Sequence, residues 1–144
     1  MDTHASHHGN RVEDLRLVTG AGKYAADWSL PGQLYAVFVR SDRAHAEIVS
    51  VNTGKAARHP GVRRVYTGAD ALAAGYTKYF VIVNFPGRGG NHIIKPPRPV
   101  LAARKVRHVG DRVAMVVADT ALAAQDAAEL VEVEYRDLPA VVSA

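Results

Sequence analysis

The chain has 144 residues, enough for one domain with a real core, and 48% of them are apolar. It contains no cysteine, which excludes a disulfide framework and the usual thiolate ligands of an iron–sulfur cluster. The net charge of +4 permits acidic partners, but the arginines are scattered and form no continuous basic block. No apolar run approaches the roughly 20 residues of a membrane span. Residues 1–10 are polar, carry His4, His7 and His8 and lack an apolar secretory core. They read as a disordered tail or a cloning remnant, with 11–144 as the folded domain and a cytoplasmic location expected.

The first strand is expected at 33–40, where Leu34-Tyr35-Ala36-Val37-Phe38-Val39 follows Pro31-Gly32. A short run without polar residues predicts a strand buried on both faces. Residues 46–51 suit a second strand. A short helix is expected over 53–59, capped by the Thr53 hydroxyl and stopped by Pro60-Gly61. Another strand follows at 62–66, and Thr67-Gly68 turns towards a short helix at 70–74. Residues 79–84 read as a strand. Periodicity then breaks over 85–99, among glycines and prolines, which predicts a long surface loop.

Residues 112–118 return to a buried strand. Asp119 or Thr120 caps the clearest helix, which runs to about Leu130. Ala123, Ala124, Ala127, Ala128, Leu130 and Val131 make its narrow apolar face, while Gln125, Asp126 and Glu129 are wet. Val131, Val133 and Tyr135 alternate with Glu132, Glu134 and Arg136. That period of two predicts a strand with its carboxylates in solvent, rather than a catalytic dyad. Strands with two or three helices between them predict an α+β domain built on a small mixed sheet.

No residue set meets the needs of catalysis, cofactor binding or metal binding, so none is expected here. His4, His7 and His8 lack the supporting shell of a fixed metal site. His45, His59, His92 and His108 are isolated in sequence. Gly20-Ala21-Gly22 begins a dinucleotide fingerprint, but position 25 is alanine where the third glycine belongs. The 85–92 stretch, rich in glycine, could present amides to an anion; a loop without a ligand, or a docking loop, is the expected reading. Ser41, Asp42 and His45 imitate a nucleophile triad, but triads are assembled from distant segments. Arg40, Ser41 and His45 are instead expected to tie a turn between two strands by hydrogen bonds.

A series of short pieces runs through the chain in one order. It comprises Arg11-Val12-Glu13-Asp14, Thr19-Gly20-Ala21-Gly22-Lys23-Tyr24, Pro31-Gly32, Val39-Arg40-Ser41-Asp42-Arg43-Ala44-His45-Ala46, Pro60-Gly61-Val62, Thr67-Gly68-Ala69-Asp70, Val109-Gly110-Asp111 and Val131-Glu132-Val133-Glu134-Tyr135-Arg136-Asp137-Leu138-Pro139-Ala140-Val141. In this order the chain resembles the α/β hammerhead domain that opens the large subunit of the molybdenum hydroxylases: xanthine dehydrogenase, aldehyde oxidase and carbon monoxide dehydrogenase. Asp42 and Arg112 depart from it, standing where the family often has proline, and 75–99 follows no family pattern.

The resemblance implies a scaffolding domain without catalytic residues. The whole enzyme it implies oxidises an aldehyde, an N-heterocycle or carbon monoxide. Later domains hold molybdopterin, often as its cytosine dinucleotide, together with the essential glutamate, and electrons leave through [2Fe–2S] clusters to FAD. The implied partners are the rest of the large subunit and the iron–sulfur and FAD components. The alternative is a stand-alone basic module for an acidic partner or nucleic acid. Against nucleic acid, no recognisable motif interleaves aromatic with basic residues.

Overall fold

The computed structural model describes residues 13–76, 85–91, 95–96 and 98–141. The tail expected at 1–10 and the strand expected at 79–84 lie outside these residues. Contacts divide the chain into two compact units, Met1–Gln33 and Leu34–Ala144.

In the first unit Asp14–Val18 forms a short helix, α1. The Thr19 hydroxyl donates to the Leu15 carbonyl at 2.7 Å. Gly20 then takes φ +73°, the left-handed geometry that ends a helix at little cost when no Cβ is present. One 3-10 turn, Ala25–Asp27, follows, with Asp27 Oδ2 accepting the Tyr24 amide at 2.8 Å. The Lys23 ammonium lies 5.1 Å from the Trp28 ring centre.

Among the described residues the second unit holds six strands: β1 (Tyr35–Arg40), β2 (Ala46–Asn52), β3 (Val62–Thr67), β4 (Lys105–Val106), β5 (Arg112–Ala118) and β6 (Glu132–Asp137). Where the sequence predicts one mixed sheet, these strands form two three-stranded sheets, ordered β1-β5-β3 and β4-β2-β6. Every pairing is antiparallel. The α+β class holds, and the division follows from apolar patterning. β5, the most apolar strand, is central in one sheet; β2 is central in the other.

Helix α4 (Ala121–Glu129) covers one face of the first sheet. Its buried Ala124 and Ala127 are small enough for close approach. The core there includes Ala56, Ala114, Val116 and Val131, with Val39, Val62 and Val65 packed against it. The second sheet builds a separate core from Ala46, Ala102, Val106 and Val113. The two cores share a strand because the β1–β5 register shifts at Val39/Arg40. The extra residue on β5 is Val113, and a bulge re-aims such a side chain; Val113 is fully buried in the second core.

β1 corrects the expectation of burial on both faces. It is an edge strand, and its side chains alternate between half-buried and exposed. An unbroken apolar run shows that a strand tolerates two covered faces; it does not supply the second layer.

The helix caps follow local chemistry. Thr120 accepts the Ala123 amide at 3.1 Å and starts α4. Helix α3 (Gly68–Ala73) begins two residues before the expected position because Thr67 is its cap. Asp70 Oδ2 accepts both the Thr67 amide and hydroxyl at 2.7 Å, completing a capping box. Helix α2 (Gly54–Ala57) differs from expectation, since the Thr53 side chain makes no capping bond. Asn52 Oδ1 accepts the Gly54 amide instead, at 3.0 Å.

Candidate docking surface

The turn after β1 is held by several side-chain and backbone hydrogen bonds. Ser41 is buried at 3% exposure. Its hydroxyl accepts the Arg43 amide at 2.9 Å and faces the Arg43 carbonyl at 3.2 Å. Its backbone bonds the 109–111 loop twice, Ser41 N to Asp111 O at 2.8 Å and Gly110 N to Ser41 O at 2.7 Å. The Arg40 guanidinium donates to the Gly110 carbonyl at 2.9 Å. His45 Nδ1 lies 2.7 Å from the Pro139 carbonyl, and Leu138 N donates to His45 O at 2.9 Å. Arg40, Ser41 and His45 therefore lock the turn to segments beyond the two strands it joins. A serine and a histidine committed to backbone groups form no base–nucleophile relay. Burial raises the Tyr135 phenol above its ordinary range, opposed by the neighbouring Ser41 hydroxyl.

The other candidates disperse. Glu132 pairs with Lys55 at 2.5 Å, Glu134 accepts from Ser50 at 3.2 Å, and Arg136 pairs with Glu47. All lie on the wet side of the second sheet, so the two glutamates form no dyad. His59 and His108 each place Nδ1 3.0 Å from a neighbouring carbonyl. His4, His7, His8 and His92 lie outside the described residues. Among the described residues no three histidines or carboxylates converge as metal ligands. Gly20-Ala21-Gly22 follows a helix, as no phosphate-binding strand–turn–helix does. In the 85–91 stretch the Gly87 amide already bonds Asn91 O at 2.6 Å and the Gly90 amide bonds Gly87 O at 3.2 Å. Two of the amides an anion nest would need are thus engaged.

What remains is a surface the sequence reading did not isolate. Phe38 and Tyr66 stand on the face of the first sheet opposite α4, 37% and 38% exposed. Cross-strand register places Phe38, Met115 and Tyr66 in one row, with Ala36, Val117 and Arg64 in the next. A cavity of about 750 Å³ lies over Met115, Val117, Tyr66 and Leu101. A second, of about 560 Å³, is lined by Arg40, Arg98, Arg107, His108 and Arg112. Neither the unbroken apolar run around Phe38 nor the short stretch 64–66 marks this face in the sequence; the cross-strand register brings these residues together.

Residues 19–139 match the family described as aldehyde oxidase and xanthine dehydrogenase, a/b hammerhead domain. The chain is 41% identical over 134 residues to the nicotine 6-hydroxylase large subunit of Paenarthrobacter nicotinovorans, covering 92% of this chain and 15% of that protein. Its fold superposes on quinoline 2-oxidoreductase from Pseudomonas putida 86 with TM-score 0.78 and 44% identity, covering 91% of this chain and 16% of that one. For the Cu,Mo-CO dehydrogenase the TM-score is 0.76 at 42% identity, covering 93% and 16%. The chain thus spans only 15% or 16% of the length of these relatives. By sequence over most of its length and by fold, the chain belongs to the aldehyde oxidase and xanthine dehydrogenase a/b hammerhead domain family.

Proposed function

We propose that this chain is a scaffolding domain at the N-terminal end of a molybdenum hydroxylase large subunit, working in the cytoplasm. It holds its place against the cofactor-binding remainder of that subunit and contributes no catalytic residue. The observation that carries this reading is the family match over 19–139 in a chain whose catalytic-looking side chains are engaged in structural bonds. The whole enzyme in this proposal uses molybdopterin, in cytosine dinucleotide form, with [2Fe–2S] clusters and FAD on its partner components. The residues here do not fit those groups. There is no cysteine for a cluster, and the Gly20-Ala21-Gly22 turn lacks the strand that would present a pyrophosphate. No step of the reaction is therefore assigned to this chain.

The choice of substrate is assigned elsewhere in the enzyme. Relatives named for nicotine, quinoline and carbon monoxide are 41%, 44% and 42% identical to this chain. A domain nearly equidistant from three such different substrates does not distinguish them. The test is metal analysis of the purified 144-residue chain with a dye-reduction assay against an aldehyde, an N-heterocycle and carbon monoxide. The expected result is no bound molybdenum and no turnover. Stoichiometric molybdenum, or turnover by the chain alone, refutes the proposal.

A further inference from the structure

We infer that the outer face of the β1-β5-β3 sheet is the surface on which the remainder of the large-subunit polypeptide docks, through an apolar segment flanked by carboxylates. The inference rests on the scaffolding reading above and adds the face and the chemistry of its occupant. The inner face of this sheet is already filled, with Val39, Val116 and Val65 packed into the α4 core. The outer rows are as apolar at their centre, in Ala36, Phe38, Met115 and Val117, yet Phe38 and Tyr66 remain more than one-third exposed. Apolar centres with aromatic residues, methionine and arginine are the composition of protein interfaces.

The charges select the occupant. Arg40 and Arg112 lie 5.9 and 5.8 Å from the Phe38 ring centre, and Arg64 lies 5.7 Å from that of Tyr66. Arg98 and Arg107 extend the positive rim along the neighbouring cavity. Two carboxylates line these cavities, Asp70 beside Arg64 and Asp111 as acceptor of the Arg107 amide at 3.1 Å; Arg40, Arg64, Arg98, Arg107 and Arg112 outnumber them, so the rim stays positive. A second copy of the chain would set arginine against arginine, and like charges across an interface are repulsive. A nucleic acid strand would need open aromatic faces on which to stack its bases. Here guanidinium groups lie over those rings, and alanine, methionine and valine fill the rows beside them. A protein segment with an apolar ridge and carboxylate edges satisfies both parts of the face. The superposed relatives supply its source: the chain covers 16% of each of them, so most of their polypeptide lies outside this domain.

Hydroxyl-radical footprinting of Phe38, Met115 and Tyr66 tests the inference. It compares the 144-residue chain alone with the same chain in the purified molybdenum-containing assembly. All three side chains are expected to react in the free chain and to be protected several-fold in the assembly. In the assembly, Arg64→Glu is expected to restore part of the reactivity of Met115 and Tyr66, because it removes a charge that the occupant's carboxylates face. Equal reactivity in both states overturns the inference and leaves the scaffolding reading standing. Failure to find the chain in any molybdenum-containing assembly overturns both. Fluorescence anisotropy with a single-stranded DNA of about 30 nucleotides at near-physiological salt supplies the remaining arm. Binding that Arg64→Glu abolishes would assign the face to nucleic acid and overturn the inference; no binding is expected.

Discussion

Replacing Gly68 with Ala places one methyl group against the main chain of the second core. A Cβ at Gly68 would lie 2.4 Å from the Ala102 carbonyl oxygen, 2.5 Å from Ala103 Cα and 2.6 Å from the Ala102 carbonyl carbon. All three are backbone atoms, so no side chain can swing aside. Gly68 has no positive φ, which leaves steric contact as the dominant change. Relief requires the 102–103 segment to shift by the best part of an ångström. Ala102 is 1% exposed in that core, and its amide donates to Arg112 O at 2.7 Å. Overpacking of this kind costs about 1–3 kcal/mol, and weakening the hydrogen bond adds about 1 kcal/mol. The helix preference of alanine returns at most about 1 kcal/mol. The expected net loss is about 1–3 kcal/mol, which lowers a urea midpoint by roughly 0.5–1.5 M at a slope of about 2 kcal/mol per M. Gly75→Ala is the control: it has open space but φ +84°, and an αL alanine costs roughly 1–2 kcal/mol. A Gly68→Ala midpoint indistinguishable from the parent chain would refute the packing argument.

Arg40→Ala and His45→Ala should each destabilise by about 0.5–1.5 kcal/mol in urea melts, the usual net contribution of a hydrogen bond that water can partly replace; unchanged midpoints would refute their structural role. Thr120→Ala removes the α4 cap and should cost about 1 kcal/mol, read in the same melts, with Thr120→Ser retaining most of the stability. The Thr67 hydrogen bonds hold the Asp70 carboxyl below its ordinary range. A depressed folded value means that this stabilisation is present above the unfolded carboxylate pKa of about 4 and is lost as pH falls through the folded value. The urea midpoints of the parent chain and Asp70→Asn should therefore differ near neutral pH and converge in acid; a gap constant with pH would contradict the assignment.

Much of this fold was legible in the residues because its signals are local. The Thr120 cap acts within one helical turn, and Glu132, Glu134 and Arg136 alternate with Val133 and Tyr135 on a strand of matching period. The resemblance read from the ordered pieces between Arg11 and Val141 agrees with the family match over 19–139. Non-local choices were harder to read. Whether β1 is central or at an edge depends on which strands join it, and nothing within 33–40 records that. Thr53 is the expected cap, but its φ −103° and ψ 1° depart from the extended backbone of a capping residue, and Asn52 accepts the Gly54 amide instead. The bonding role of Arg40 and His45 was readable, but their acceptors lie 70 and 94 residues away. The arginine-bordered sheet face was hidden for the same reason, since it gathers alternate residues of three strands and arginines of the segments around β4.

The central claim is that this domain supports a molybdenum enzyme without holding its chemistry. The most direct measurement is molybdenum content across a size-exclusion profile of the tagged chain, expressed with the other components of the enzyme in cells supplied with molybdate. The account predicts molybdenum and dye-reducing activity in a large assembly that contains the chain, and neither in fractions of the chain alone. Molybdenum eluting with the free chain, or a chain that never enters a molybdenum-containing assembly, would contradict it.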